Sequence, residues 1–406
     1  MKFETLLEYT SNIRSIKEKQ LLYLERFVND AKGEFGEYSD VDPKYSPRGG
    51  MRTFPAPYAD VKKTRLKTYH DMPDRRLMEA IFQDEEARFV LHPETKSPFD
   101  SLDGSYVVSP SSSTRTLMTR ELPYNFQAKT HLDKRHFRFI RRLRGSSVKH
   151  SVAVSKDIRK ATESREIPFY GYLPESLGLV YGDLETGIGV IYRESIPRPL
   201  KGGHRFLIPY FSLYSKDPFS PADKPLLSAI LERNADGAPL EYFVDVIVGR
   251  ILETWVWFVR ERGLLPELHG QNTLLELTAN GVPTRIIHRD FQSMYSDSAI
   301  RAKQGLSQFQ KHIAGEEEGT TKPAQYSLVF DHFISTYLIK RMVNAFIELY
   351  PGHDFQTVAT EITRKFRGIE NNPLSIFPDT KHKFGDSDVP GNDVTLVDTG
   401  QQPLFR

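Results

Sequence analysis

Residues 267–290, ELHGQNTLLELTANGVPTRIIHRD, combine a strong turn signal with polar side chains at both ends. The Asn-Gly pair in the middle is typical of a tight hairpin, and it separates two runs of strand-forming residues. The sequence therefore predicts two antiparallel strands. Such a hairpin would bring the polar group at its entrance next to the polar group at its exit.

The chemistry of this predicted hairpin suits a nucleotide phosphate. Asn272 and Asp290 would become neighbours, and their side-chain oxygens are ligands that Mg²⁺ accepts together with water and phosphate oxygens. His269 would lie beside them as a hydrogen-bond donor. The alternative is an ordinary surface hairpin with a satisfied histidine and a capping asparagine, and this stretch alone does not decide between the two.

Composition limits the classes of protein to which the chain could belong. With 406 residues the chain is long enough for two or three domains. The formal net charge of +2 gives no overall field that would favour nucleic acid or an anionic membrane. The absence of cysteine excludes disulfides, thiolate zinc sites and cysteine nucleophiles. The N-terminus lacks the apolar core of a signal peptide and no apolar run could span a bilayer, so we expect a cytoplasmic protein without a membrane partner.

Apolar periodicity indicates alternating helical and β-rich regions. Helical spacing predicts helices at residues 1–30, 75–90, 239–262, 328–350 and 357–366. Residues 33–60 predict a long loop, and the short β-like runs of residues 168–213 predict an antiparallel sheet. The C-terminal residues are rich in Pro, Gly, Asp and Lys, and we expect them to be mobile or to lie over the surface.

Hydroxyl and cationic side chains accumulate between residues 92 and 144. Ser113, Arg115 and Thr116 form a set that suits phosphate oxygens, although such a cluster alone is more often a turn or a helix cap. Lys129 follows, and then the basic run HLDKRHFRFIRRLR at residues 131–144. A basic run is most often a solvated helix face. Here apolar and aromatic residues alternate with the arginines, an arrangement that is also compatible with some arginines facing a cleft. Because the surrounding charge is balanced, a nucleic-acid site is the weakest interpretation.

Taken in order, these features resemble the IucA/IucC family of NRPS-independent siderophore (NIS) synthetases. The resemblance covers most of the chain from about residue 90 onward. Its landmarks are a His-Pro turn with a lysine (His92, Lys96), a Ser-x-Arg-Thr loop (Ser113, Arg115, Thr116), a Lys and Arg at the family's spacing (Lys129, Arg141), a strand ending in Arg-Glu (Arg193, Glu194), an Ile-Pro strand at residues 208–213, the Glu-x-His-x-Gln-Asn motif at residues 267–272, and Arg-Asp-Phe at residues 289–291.

The resemblance implies an α+β, multi-lobed, hand-like fold. Its parts would be a shortened, helical, thumb-like region at residues 1–90 and a β-rich, fingers-like, nucleotide-binding region at residues 91–215. A largely helical, palm-like region at residues 216–406 would carry the hairpin that runs from His269 to Asp290. A homodimer is the oligomeric state that the resemblance favours.

The resemblance also implies an ATP-dependent ligase with small-molecule substrates. A carboxylic acid would attack the α-phosphorus of ATP to give an acyl-adenylate and pyrophosphate, and an amine or alcohol would then displace AMP. The implied roles are ATP binding for Ser113, Arg115, Thr116, Lys129 and His269, catalysis for Arg115, Lys129 and His269, recognition of the substrate carboxylate for Arg141, Gln271, His92 and Lys96, and Mg²⁺ binding for Asn272 and Asp290. This chemistry asks mainly for positioned cations and no protein nucleophile, in agreement with the residue types present.

The chain departs from the family's pattern in three places. It is shorter than typical members, and it lacks the second His-Pro that many members have after His92. Phe137 and Arg138 stand where members that bind citrate usually have small hydroxyl residues. A polar substrate buried without its hydrogen-bond partners is strongly disfavoured. We therefore predict that citrate is a poor acyl donor.

Two alternatives to a ligase remain open. Kinase-like phosphotransferases also place an Asn on one strand and a metal-binding Asp at the end of the next. They need a catalytic Asp shortly before that Asn, whereas the nearest upstream acid here is Glu267, and the N-terminal sequence has no glycine-rich loop. A binding protein that has lost catalysis is the other alternative, and the retained phosphate-binding residue types argue against it.

Overall fold

The computed structural model describes residues 18–29, 39–120, 122, 124–136, 139–164, 167–202, 205–309, 321–386 and 394–406. The strands are β1 Phe54–Lys62, β2 Leu66–His70, β3 Phe82–Gln83, β4 Glu86–Val90, β5 Gly104–Pro110, β6 Thr116–Thr119, β7 Phe126–Thr130, β8 Arg135–His136, β9 Phe139–Ile140, β10 Tyr170–Tyr172, β11 Leu177–Tyr181, β12 Ile188–Glu194, β13 Arg205–Pro209, β14 Leu264–Leu265, β15 Thr273–Thr278, β16 Pro283–His288, β17 Tyr295–Ser296, β18 His382–Asp386 and β19 Val394–Asp398.

Helices pack beside these strands, and the predicted α+β class is confirmed. The α-helices of the described residues are Glu18–Arg26, Arg75–Ile81, Gly145–Ser164, Phe211–Tyr214, Leu226–Asn234, Pro239–Tyr242, Gly249–Trp257, Ser298–Lys303, Lys322–Ser327, Lys340–Leu349 and Phe355–Gly368. Wider, π-helical turns at Phe243–Val248, Phe258–Arg262 and Leu328–Ile339 continue these helices, and short 3₁₀ turns lie at Pro43–Tyr45, Lys63–Arg65 and Leu374–Ile376. None of the helices in the described ranges is both long and apolar enough to cross a membrane.

The larger sheet has nine described strands in the order β2-β11-β12-β7-β6-β5-β1-β4-β3, and all of its pairs are antiparallel. The helix Gly145–Ser164 packs on β11 and β12 through Val148. A Cβ atom at Gly178 or Gly189 would lie 2.3 Å from a methyl carbon of Val148. The two glycines therefore let this helix approach the sheet closely.

The smaller sheet has the described order β10-β16-β15-β13. Its centre is the antiparallel hairpin β15–β16, as predicted, with Thr273 opposite His288. β13 pairs antiparallel with β15, whereas β10 pairs parallel with β16. The prediction of one antiparallel sheet for residues 168–213 was therefore wrong, because β11 and β12 belong to the larger sheet and β10 and β13 to the smaller one.

The largest hydrophobic core lies between the smaller sheet and the C-terminal helices. Trp255 is fully buried there and contacts Phe330 and Phe366, whose rings stack with centroids 4.4 Å apart. The predicted helices at residues 239–262 and 328–350 are thus confirmed as elements of this core. The first ends at Gly263, which has a left-handed backbone with φ +53°.

The structure differs from the predicted elements mainly in the first ninety or so residues. The predicted helix at residues 75–90 stops at Ile81, because the following residues turn at Asp84 and pair as β3 and β4. The predicted loop at residues 33–60 contains the start of β1. The larger sheet therefore crosses the boundary drawn at residue 90, and residues 54–90 are not helical throughout. The predicted first helix is present as Glu18–Arg26, and its earlier residues lie outside the described ranges.

Two further segments differ from their interpretation. The basic run at residues 131–144 is not a helix face, because it contains the short antiparallel pair β8–β9. The C-terminal residues form the hairpin β18–β19, whose Phe384 and Leu396 pack on the helical segment Leu328–Ile339. Arg406 anchors the end of the chain through an ion pair with the buried Asp331 at 3.0 Å.

Candidate active site

A cavity of ≈ 430 Å³ lies where the larger sheet, the β15–β16 hairpin and the C-terminal segments meet. Arg115 directly precedes β6, and Lys129 lies on β7 of the larger sheet. Across the cavity, these two cations face Asp290 and residues of the Glu-x-His-x-Gln-Asn motif. The lining is completed by Phe139, Ile140, Arg141, Arg142, Phe211, Tyr214, Gln292, Ser293, Tyr295, Phe333, Tyr337, Arg341 and Phe384.

The ion pair between Lys129 and Asp290 is a central feature of this cavity. Lys129 belongs to β7 and its Nζ donates to Oδ1 of Asp290, which follows β16. Burial lowers the pKa of the Lys129 ammonium to about 8, against the opposing effect of Asp290. Burial also acts to raise the pKa of the Asp290 carboxyl, but Lys129 and Arg193 outweigh it and hold that pKa well below its usual range. The pair is therefore ionised at neutral pH.

Arg193 supports this pair from β12. Its Nη2 lies 3.9 Å from Oδ2 of Asp290, and its Nε donates to Oε1 of the fully buried Glu175 at 3.0 Å. The second carboxylate oxygen of Glu175 accepts from the backbone N–H of Phe291 at 3.3 Å. Glu175 thus holds the backbone of Phe291, which follows Asp290. The buried ion pair of Arg193 and Glu175 keeps its position because loss of either partner would leave the other charge buried and uncompensated.

Arg115 connects the Ser-rich loop to the basic run. Its Nη1 donates to the carbonyl oxygens of Arg141 at 2.8 Å and Arg142 at 3.2 Å, and its Nη2 donates to Oε1 of Gln292 at 3.1 Å. Burial lowers the pKa of the Arg115 guanidinium and also lowers the pKa of Arg141, to about 10. Both remain cations at neutral pH, so the cavity has a buried positive wall.

The hairpin brings its two ends together as the sequence predicted. The backbone N–H of Arg289 donates to the carbonyl of Asn272 at 3.0 Å, which places Asn272 beside Asp290. Asn272 is 5% exposed, and none of the described residues hydrogen-bonds to its side chain. Such a buried amide on a cavity wall is suited to a ligand, because an unpaired polar group is costly to bury.

His269 and Gln271 have defined orientations beside Asn272. The Nδ1 atom of His269 accepts from the backbone N–H of Gln271 at 3.2 Å. Burial lowers the pKa of the His269 imidazole to about 4, so the ring is neutral at physiological pH. With Nδ1 as the acceptor, Nε2 carries the proton and is able to donate a hydrogen bond. Gln271 Nε2 donates to Oγ of Ser112 at 3.1 Å and thereby joins this motif to the Ser-rich loop.

The structure brings most of the predicted site residues together around the cavity, namely Arg115, Lys129, Arg141, His269, Gln271, Asn272 and Asp290. Ser113 and Thr116 belong to the loop that carries Arg115 but do not line the cavity; the Ser113 hydroxyl accepts from the Thr116 N–H at 3.2 Å and so shapes the loop.

His92 and Lys96 are placed elsewhere. His92 is fully buried, with its ring 5.5 Å from that of Tyr45 and its Nδ1 accepting from the N–H of Glu94 at 3.2 Å, and Lys96 is exposed. Neither lines the cavity, because the turn at residues 92–96 follows β4 rather than a cavity-lining strand. Phe137 and Arg138, on which the citrate prediction depends, lie outside the described residues.

Sequence reasoning missed several residues that shape the site. Glu25 is fully buried and accepts from Arg289 Nη2 at 2.5 Å and from the Ser112 hydroxyl at 2.6 Å. Phe333 and Phe384 line the cavity from the C-terminal part of the chain. No local motif marks these residues, because each reaches the site only through contacts that are distant in sequence.

Solved structures with the same fold include a petrobactin biosynthesis protein and two aerobactin synthetases. The petrobactin biosynthesis protein AsbB from Bacillus anthracis str. Sterne aligns with a TM-score of 0.64 and 16% identity over 87% of this chain and 69% of AsbB. The aerobactin synthetases IucC and ATP-bound IucA from a hypervirulent pathotype of Klebsiella pneumoniae align with TM-scores of 0.62 and 0.60, both at 16% identity, over 86% and 82% of this chain and 66% of each synthetase.

Sequence comparisons are more limited. Residues 241–350 match the family model described as "Ferric iron reductase FhuF-like transporter", and no curated protein matches the chain. The chain spans about two thirds of the length of the synthetases above. The structural likeness nevertheless extends over most of this chain. The chain therefore has the fold of the NIS synthetases, which confirms at the level of the fold the resemblance to the IucA/IucC family.

Proposed function

We propose that this protein is an ATP-dependent ligase that activates a carboxylic acid as its acyl-adenylate and joins it to an amine or alcohol, in siderophore or related natural-product biosynthesis. The observation that carries the proposal is the buried positive wall of Arg115, Lys129 and Arg141, which faces the His269, Asn272 and Asp290 side chains across one cavity. The ATP-bound state of IucA, which shares the fold, supports ATP as the nucleotide.

The first chemical step places negative charge where this wall can stabilise it. A carboxylate oxygen of the substrate attacks the α-phosphorus, and the bond from that phosphorus to pyrophosphate breaks. Lys129 and Arg115 would hold phosphate oxygens as charge shifts on to the leaving pyrophosphate, and the neutral His269 would donate a hydrogen bond. Arg141 would orient the substrate carboxylate.

The second step needs no protein nucleophile. The nitrogen or oxygen of the second substrate attacks the acyl carbon, the bond from that carbon to the AMP oxygen breaks, and the nucleophile loses its proton. Within the described residues no group of three or more His, Cys, Asp or Glu could hold a metal ion by itself. Asn272 and Asp290 suit a Mg²⁺ that also keeps phosphate and water ligands, and its chemistry would be to neutralise phosphate charge.

The products of ATP cleavage test the reaction class. We expect AMP and pyrophosphate to form when a suitable acid and amine are present, and labelled pyrophosphate to exchange into ATP with the acid alone. Lys129→Met should lower the exchange rate by about two orders of magnitude, as expected when one preorganised donor is lost. Lys67→Met, a change at an exposed lysine of β2, is the matched control and should retain full activity.

Two results would contradict this proposal. Stoichiometric ADP would indicate a kinase-like phosphotransferase instead. Binding of ATP without cleavage or exchange across a broad panel of carboxylic acids would indicate a binding protein that has lost catalysis.

A further inference from the structure

One side of the cavity is lined by phenyl rings from three distant parts of the chain. Phe139 comes from β9, Phe333 from the helical segment Leu328–Ile339, and Phe384 from β18. The Phe384 ring lies 5.9 Å from that of Phe139 and 6.0 Å from that of Phe333, between centroids. These three residues, which we call the aromatic wall, therefore form one continuous apolar surface.

The aromatic wall adjoins the polar residues of the site at both ends. The Arg141 guanidinium carbon lies 6.0 Å from the centre of the Phe139 ring, and the His269 ring lies 6.0 Å from that of Phe333. A ligand in contact with Phe139 would thus lie next to the Arg141 guanidinium, a cation suited to a carboxylate. Phe139 and Phe384 are only partly buried, so the wall has apolar surface left for a ligand to cover.

We propose that the aromatic wall is a specificity subsite for the acyl substrate and that this substrate is a carboxylic acid with an aromatic ring or hydrocarbon chain next to its carboxylate end. The proposal rests on the ligase function proposed above. A ring placed on the wall gains edge-to-face contacts with phenyl groups in addition to the burial of its apolar area. An acid with charged arms at every position would instead lose water against phenyl faces that offer no hydrogen bond.

A buried network holds two of the three rings in place. Asp331, two residues before Phe333, accepts from Arg406 Nε at 3.0 Å and from the Ser327 hydroxyl at 2.6 Å. The Ser327 oxygen in turn accepts from the backbone N–H of His382 at 2.8 Å. His382 begins β18, two residues before Phe384. The wall is therefore built into the fold through the C-terminal hairpin, rather than made by a loosely attached tail.

Matched ligands separate the wall from the rest of the site. Phenylsuccinate and succinate carry the same two carboxylates and differ by one phenyl ring, so their binding can be compared by calorimetry without turnover. We expect the wild-type protein to bind phenylsuccinate about tenfold more tightly, since burial of the ring is worth at least that factor. Phe384→Ala should remove most of the preference. Val397→Ala, at a 38% exposed position on the other face of the same hairpin, should leave it unchanged.

Each outcome of this comparison bears on the proposal. Equal binding of the two acids by the wild type would overturn it, as would a preference that survives in Phe384→Ala. If Phe384→Ala weakened ATP binding and left phenylsuccinate binding intact, the wall would serve the adenine ring and the proposal would be wrong. Phe384→Leu, which keeps apolar volume and loses the ring, replaces Phe384→Ala if thermal melting shows that the alanine variant is unfolded, and it should reduce the preference.

Pyrophosphate exchange with the same two acids distinguishes this inference from the function on which it rests. A preference for phenylsuccinate without any acid-dependent exchange would support the subsite and contradict the ligase. Exchange that proceeds equally well with both acids would support the ligase and contradict the subsite.

Discussion

Asp290 has an unusual backbone for a residue that carries a side chain. Its φ of +74° is in the left-handed region, which Asp and Asn tolerate better than most residues. Backbones of this kind cluster at functional sites, where the surrounding structure determines them. Here the conformation occurs two residues after the end of β16 and accompanies the contact of the carboxylate with Lys129. ATP would have to share or replace this carboxylate as the partner of Lys129.

Asp290→Asn tests whether the charge of this carboxylate is needed for nucleotide binding. Because Asn accepts the same left-handed backbone, we expect a folded variant. Its neutral amide should weaken ATP binding most at low Mg²⁺ concentration, since a carboxylate is the stronger Mg²⁺ ligand. ATP binding measured across a Mg²⁺ titration checks this. Asp84→Asn, at another left-handed but exposed aspartate, is the control, and a wild-type Mg²⁺ dependence of Asp290→Asn would disprove the metal assignment.

At the level of single residues, the sequence predicted the polar residues that line the cavity and missed the phenylalanines that line it. Lys129, His269 and Asn272 belong to short motifs whose chemistry shows in the residue types themselves. Phe333 looks like any core residue of an apolar helix, and Phe384 lies in a segment without periodicity. Their roles depend on which surfaces meet in space, and that information is not present in local spacing.

The contact between the helix Gly145–Ser164 and the larger sheet depends on small residues. We expect Gly178→Ala to destabilise the protein by about 1–3 kcal/mol, since its Cβ would overlap a Val148 methyl group. Val148→Ala in the same chain should relieve the overlap, so that the double variant loses less stability than the sum of the two single variants, with a coupling of about 1 kcal/mol.

Urea unfolding of the four proteins measures this coupling. Gly352→Ala is the control, because nothing lies within 4 Å of a Cβ at that position. Strict additivity of Gly178→Ala and Val148→Ala would show that the helix and sheet are not in the tight contact described.

The elements that sequence predicted well are those with strong local signals. The Asn-Gly turn sets the β15–β16 hairpin, and the long apolar periodicity of residues 239–262 sets a helix that tertiary contacts then bury. The helix predicted at residues 75–90 failed because Ala87 and Phe89 are buried at strand spacing on β4, and pairing with β1 decided their structure. Strand pairing overrides a weak helical pattern in this way because it is a non-local interaction.

Glu25 joins parts of the molecule that are far apart in sequence. From the helix Glu18–Arg26 it accepts hydrogen bonds from Ser112, in the loop of the larger sheet, and from Arg289, beside the smaller sheet. Arg289 in turn donates to the carbonyl of Gln271 at 2.8 Å. Glu25 therefore links both sides of the cavity without lining it.

Removal of this carboxylate should destabilise the whole protein. Glu25→Ala leaves the buried Arg289 without its counter-charge, a change that typically costs about 3–5 kcal/mol. Glu163→Ala breaks an ion pair whose glutamate is 59% exposed and should cost less than about 1 kcal/mol. Chemical denaturation of both variants measures the difference. Equal losses of stability would show that the buried Glu25 ion pair stabilises the protein no more than an exposed one does.

Over the whole molecule, the order of motifs was enough to predict the fold, but not the way in which its parts are divided. The larger sheet contains strands from residues 54–194, so strands from both sides of the boundary predicted at residue 90 pair within one sheet. The C-terminal hairpin pairs β18 with β19 and also packs Phe384 and Leu396 on Leu328–Ile339, and the local sequence pattern does not reveal this contact with a distant segment.

The parallel pairing of β10 with β16 has a consequence for synthesis on the ribosome. The last described strand of the larger sheet ends at Glu194. β10 can pair with β16 only after the chain has been synthesised as far as His288. At about 10 residues per second, translation of the intervening segment takes roughly ten seconds. An unpaired, apolar strand edge is prone to associate with other chains during such an interval. Chaperone capture of Tyr170–Tyr172 in nascent chains would protect the protein at this stage.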